Sequence, residues 1–333
     1  MRKLFSALLC IAGLCMYSSS LYAQPSEFSF GVIAPASSKL DETALRDMIL
    51  KSDVDNLAFV VVDRIKSDDE ACSDEVYKRR KALLNSAKNG LIVSLAASDW
   101  SGCKNAAGKS SAVERLNRVR DQFFSDDFSF GASKIPLVRQ SASAKFRSYG
   151  ENARWEFGNV MFATINLPAN NNRYIADAGH NNEFEDRIIA NRDWLQRIFV
   201  FATNKKADGI VLFCDGDPFS IPTSAQLSKL NGRRDGFLEV RRQINALVAK
   251  FTGKVLVIHG TKGTQPAITP QIAWRGNLGE LVLSDEWTKL LVNPANATVF
   301  SVDVTPMEEK PSVKQQRSAA DRSPKLGPVE KSD

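Results

Sequence analysis

"VLVIHGTKGT", residues 255–264, is an apolar run that stops abruptly at a histidine and a glycine-rich turn. Continuous apolar character, rather than strict alternation with polar residues, suits a strand covered on both faces. Comparable runs recur at 28–34, 57–63, 90–96, 160–167, 209–214 and 297–304, and the quoted one extends over 254–260. Between them the spacing turns helical. "DEVYKRRKALLNSA" puts Val76, Leu83, Leu84 and Ala87 on one face, "NRDWLQRIFVFA" groups Leu195, Ile198, Phe199 and Ala202, and "FLEVRRQINALVAKF" does the same with Phe237, Val240, Ile244, Leu247, Val248 and Phe251. Strands alternating with amphipathic helices predict a layered α/β domain. Residues 101–159, polar and aromatic by turns, read as a long excursion above the sheet.

The chain has 333 residues, 43% of them hydrophobic, enough to bury a sizeable core. Residues 1–23 combine Arg2 and Lys3, an apolar run from Leu4 to Met16 and small residues before Ala23, the layout of a secretory signal peptide. That run is too short to span a bilayer, and the residue before Cys15 is not the small one a lipoprotein signal needs. The expected product is an exported protein, periplasmic or secreted, with residues 24–304 as one domain and no membrane association after cleavage. Residues 305–333, proline-bearing and nearly without apolar side chains, are expected to stay disordered because they cannot offset ordering entropy. Losing Arg2 and Lys3 reduces a formal net charge of +6, and no dense basic stripe interleaved with aromatics remains, so no nucleic-acid partner is expected. Cleavage leaves Cys72, Cys103 and Cys214. The first two lie in polar loops and are paired here as a disulfide, as export permits, whereas Cys214 ends an apolar run and reads as a core residue.

Ligands of open α/β sheets gather at the carboxyl ends of strands. The residues there are Ala34 to Ser37, Asp63-Arg64, Ala96 to Asp99, Asn166, Cys214 to Asp217 and His259 to Gly263. Taken in order, "FSFGVIAP", "FVVVDRIKSDDEACSDE", "LIVSLAASDWSGC", "ENARWEFGNVMFATINLP" and "VLVIHGTKG" resemble the strand and loop segments of calcineurin-like metallophosphoesterases. The likeness is nearest to an exported bacterial branch with a "GDIKSG…CSDE" segment followed by "GDN(D/E)W…C". It spans roughly residues 28–303 and rests on the scaffold words "IKS", "CSDE", "DW" and "ENARWE". The resemblance implies a sandwich of two mixed β-sheets flanked by α-helices, with two metal ions held at the strand ends by Asp, His and Asn ligands.

The ligand positions themselves depart from that pattern. Pro35 or Ala34 stands where the first loop should offer an aspartate, and Asp63-Arg64 where Gly-Asp should supply a bridging carboxylate. Ala96-Ala97-Ser98 replaces Gly-Asp-Asn, Asp215 or Asp217 falls where a histidine is common, and the last loop reads Gly260-Thr261-Lys262-Gly263 in place of Gly-x-x-His. The chain holds only two histidines, His180 and His259, few for a two-metal hydrolase. The expectation is a catalytically inactive relative that acts as a binding or interaction module and needs no cofactor. Its partner would be an anionic small molecule or a protein, because Arg64, Lys262 and Ser98 could form a cationic pocket where metal once stood. The alternative is a phosphoesterase with an altered or single-metal site, holding a divalent ion such as manganese or iron around Asp63, Asp99, Asp217 and His259.

Each of those four has a plain structural role to set against the functional one. Asp63 and Asp99 can cap a following helix or turn. His259 precedes the motif rather than forming it, and can be a strand-end ring bonded to a neighbouring loop. Asp217, in "CDGDP", lacks the further oxygen ligands of a calcium loop and suits an ordinary turn. No Gly-x-Ser-x-Gly, phosphate-binding loop or dinucleotide fingerprint is present.

Overall fold

The computed structural model describes residues 27–34, 41–175, 179, 181–221, 234–260, 270–283 and 287–303. The expected signal segment at 1–23, the tail at 305–333, Pro35, His180 and Lys262 lie outside them.

Among the described residues, twelve strands form two mixed sheets. The first contains β1 (Phe28–Ile33), β2 (Val60–Asp63), β3 (Leu91–Ser94), β11 (Trp287–Val292) and β12 (Phe300–Asp303), in the order β12-β11-β1-β2-β3. Here β1, β2 and β3 run parallel, and β11 and β12 extend the sheet antiparallel. The second contains β4 (Val138–Arg139), β5 (Ala153–Phe157), β6 (Val160–Thr164), β7 (Gly209–Cys214), β8 (Lys254–Gly260), β9 (Ile272–Arg275) and β10 (Leu278–Leu283). Its order is β4-β5-β6-β7-β8-β10-β9, with a parallel centre of β6, β7, β8 and β10. The helices are α1 (Glu42–Ser52), α2 (Asp74–Asn85), the short α3 (Ala97–Trp100), α4 (Ala112–Phe123), the long α5 (Asn182–Lys205) and α6 (Leu238–Val248).

The seven apolar runs all contain strands, and the reason they are continuously apolar is visible in how their side chains divide. Along β7, Val211 and Phe213 join Phe30, Phe59, Val61 and Trp155 in a core between the two sheets. Their neighbours Ile210, Leu212 and Cys214 turn the other way, to Leu195, Ile198, Phe199, Val240 and Ile244 of α5 and α6. On the first sheet Val60, Val62 and Val93 meet Leu45, Leu84 and Leu116 of α1, α2 and α4. Successive side chains of a strand point to opposite faces, so a strand buried on both sides must be apolar throughout. The result is a four-layer α/β sandwich, helices outside and two sheets face to face within.

The segment read as an excursion is better integrated than its composition suggests. Residues 112–123 form α4, whose Leu116, Val119 and Phe123 are buried, and β4 and β5 complete one edge of the second sheet. Cys72, just ahead of α2, and Cys103, just after α3, form a disulfide with their Cα atoms 5.8 Å apart. Cys214 is free and buried. Among the described residues no helix is long and apolar enough to cross a membrane.

Candidate functional site

The parallel strands of both sheets end on one rim, and parity decides which side chains meet there. Asp63 follows Val61 and Asp215 follows Phe213, both on the inter-sheet face, so the two carboxylates come from facing sheets into the same buried space. Arg64 lies between them. Its Nη2 donates to Asp63 Oδ2 at 3.3 Å and lies 3.5 Å from Asp215 Oδ1. Gly260, in step with Ile258, points inward as well, and a β-carbon there would lie 3.6 Å from both Arg64 Nη2 and Asp63 Oδ2. Arg64 holds a positive φ of 83°, a conformation that a non-glycine residue keeps only where surrounding contacts determine it.

Asp99 serves the local backbone. Its Oδ1 accepts from the N–H groups of Ile65 (2.7 Å) and Lys66 (3.1 Å), and its Oδ2 from that of Ala96 (2.8 Å). It therefore ties the loop after β2 to the one after β3. Asp215 does likewise, Oδ2 accepting from Ala97 and Ala169 at 2.7 Å each. Ser98 is buried as well, and the side-chain oxygens of Ser94 and Ser98, Asp63 Oδ1 and Arg64 Nε have no hydrogen-bond partner among the described residues.

Three buried carboxylates around one guanidinium cannot all ionise without leaving net negative charge in a dry place. Burial accordingly raises Asp63 to about 7, against the opposing pull of Arg64, and raises Asp99 to about 6 despite its three backbone donors. Asp215 is also raised, chiefly by burial and in opposition to Arg64. Lys66, lowered mainly by burial, contributes little here because its Nζ donates to the carbonyls of Ser67 and Glu70.

One step along β8, His259 is out of register with this cluster. It shares the face of Val255 and Val257, toward the helices, and not the inter-sheet face of Leu256 and Ile258. Its Nδ1 lies 3.0 Å from the Gly260 carbonyl and its Nε2 3.3 Å from Glu280 Oε1 and 3.7 Å from Asp217 Oδ1. Asp217 Oδ1 also accepts from the N–H groups of Phe219 (2.7 Å) and Ser220 (3.0 Å), as the turn reading anticipates.

The four carboxylate and histidine candidates thus fall into two groups. Asp63 belongs with Arg64 and Asp215 between the sheets, with Asp99 near enough to interact electrostatically, whereas Asp217 and His259 belong with Glu280 on the helix-facing side. Glu280 escapes sequence reading because β10 alternates, with Glu280 on the face opposite Leu281 and Leu283, in a stretch without a continuous apolar run. "WRGNLGELVL" does carry a hairpin signal in Gly276 and Asn277, which joins β9 to β10. The scaffold word "ENARWE" proves to be architectural: Asn152 Oδ1 accepts from the Asn166 N–H at 2.9 Å, and Glu151 pairs with Arg120 at 2.6 Å and accepts from Asn166 Nδ2 at 2.9 Å.

Comparison with protein-family models and with curated proteins finds no match.

Proposed function

We propose that this chain is an exported, catalytically inactive relative of the calcineurin-like metallophosphoesterases, acting as a binding or interaction module. The observation that carries this reading is the Arg64 guanidinium, placed against Asp63 and Asp215 at the strand ends. In the family's pattern, carboxylates at these ends neutralise metal ions, which in turn activate water and stabilise phosphate charge. A guanidinium supplies the charge without the chemistry. It has no vacant orbital for water, and it stays protonated throughout the working pH range, so it neither generates hydroxide nor serves as an acid. Asp99 has both carboxylate oxygens engaged by backbone donors, Oδ1 by two and Oδ2 by one, in a purely architectural role.

The same geometry bears on the ligand. Arg64 is buried and already faces two carboxylates, so it offers an incoming anion little net attraction. A protein partner at the strand-end rim is therefore favoured over an anionic small molecule bound by Arg64 and Ser98.

Purified protein incubated with an aryl phosphate and added manganese is expected to give no turnover above the blank. Turnover that disappears in Asp63→Asn, with the circular dichroism spectrum unchanged, would overturn the reading.

A further inference from the structure

The second group of side chains places one ring nitrogen of a buried histidine between two carboxylates. Nδ1 of His259 faces the Gly260 carbonyl at 3.0 Å, an oxygen that can only accept, so Nδ1 must carry a proton. In the neutral ring this leaves Nε2 as a lone pair, directed at Glu280 Oε1 (3.3 Å) and toward Asp217 Oδ1 (3.7 Å). Three electron-rich atoms converge with nothing positive between them unless the ring takes a second proton or a cation binds. A backbone carbonyl that fixes Nδ1–H and leaves Nε2 for the ion is the usual disposition of a metal-ligating histidine.

We propose that Asp217, His259 and Glu280 bind a divalent transition-metal ion of the zinc class, at a site distinct from the Asp63–Arg64–Asp215 cluster. One ligand atom from each residue lies within 4.8 Å of the others. Ligands about 2.0–2.1 Å from a tetrahedral ion stand about 3.3 Å apart, so only small side-chain adjustments are needed. One imidazole and two carboxylates offset the charge of a divalent ion and supply a mixed nitrogen and oxygen set. Calcium, which takes six to eight oxygens, is poorly served by it.

The supporting contacts are in place. Arg275 Nη2 lies 3.2 Å from Glu280 Oε2, leaving Oε1 toward the histidine. The N–H groups of Phe219 and Ser220 hold Asp217, and Arg241 Nη1 holds the carbonyls of Pro218 (3.1 Å) and Ser220 (2.9 Å). His259 forms the closed floor at 1% exposure, while the side chains of Glu280 and Asp217, 15% and 36% exposed, leave a way in from solvent where water completes the coordination. With three protein ligands and an open position, such a site resembles metal centres that accept a further ligand.

The test is zinc titration of the full chain, without a polyhistidine tag, by competition against a chromophoric chelator. One Zn2+ per chain is expected, with affinity reduced at least about tenfold in Glu280→Gln and in Asp217→Asn and unchanged in Asp63→Asn. Both decisive substitutions lie at solvent-accessible side chains and preserve shape, so folding is retained where His259→Ala could disturb the core. Absence of zinc binding, or binding indifferent to Glu280→Gln and Asp217→Asn, overturns the proposal. Metal bound here without phosphate turnover leaves the inactive reading of the central cluster standing, whereas turnover lost in Asp63→Asn overturns that reading whatever happens to zinc affinity in Glu280→Gln.

Discussion

At Asp63, burial and the Arg64 charge pull in opposite directions, and burial prevails. The carboxyl rises from its ordinary 3.8 to about 7. A folded-state value above the unfolded one means that the folded chain binds the extra proton, so stability falls as pH rises from about 4 to about 7 and levels off above. Asp63→Asn removes that dependence. Relative to wild type, its midpoint in urea should therefore shift upward as pH is raised through the same window, and a constant difference would refute the assignment. Arg64 is the reciprocal case. Arg64→Ala leaves Asp63 and Asp215 buried without their cation, and a loss of about 3–5 kcal/mol is expected in equilibrium unfolding, partly recovered by adding Asp63→Asn.

At the scale of elements, a tight fit joins β1 to β11. Gly31 pairs with Lys289, and the Trp287 ring crosses Gly31 so closely that a β-carbon there would lie 2.3 Å from Cη2. Gly31→Ala forces the indole or the strand aside, and about 1–3 kcal/mol of lost stability is expected, read as a lower Tm. The central strands were legible because burial on two faces removes polar residues, as in Val60 to Val62 and "GIVLFC". The later hairpin strands β9 to β11 were not, since each leaves alternate residues partly exposed and so carries a weaker apolar signal. Helix α4 was hidden differently, its buried Leu116, Val119 and Phe123 diluted by Arg115, Arg118 and Arg120. At the site, sequence reading located the strand ends but not the parity. A single residue step puts Gly260 between the sheets and His259 on the opposite face, and pairing those faces with Asp215 or Glu280 requires the three-dimensional register.

Across the whole molecule, the disulfide and Asp99 fasten the same two segments. Cys72 and Cys103 join them covalently, while Asp99 joins the backbones of Ile65 and Lys66 to that of Ala96. Closing a loop with a sequence separation of 31 is worth about 3–4 kcal/mol on the chain-entropy model, so Cys72→Ser with Cys103→Ser should lower unfolding stability by that order and leave the far-ultraviolet spectrum intact. Beyond its stabilising effect, the bond changes what a protease can achieve. A single cut anywhere between residues 72 and 103 yields two polypeptides that still migrate together until a reductant is added, so the chain can be nicked along that whole stretch and remain one molecule.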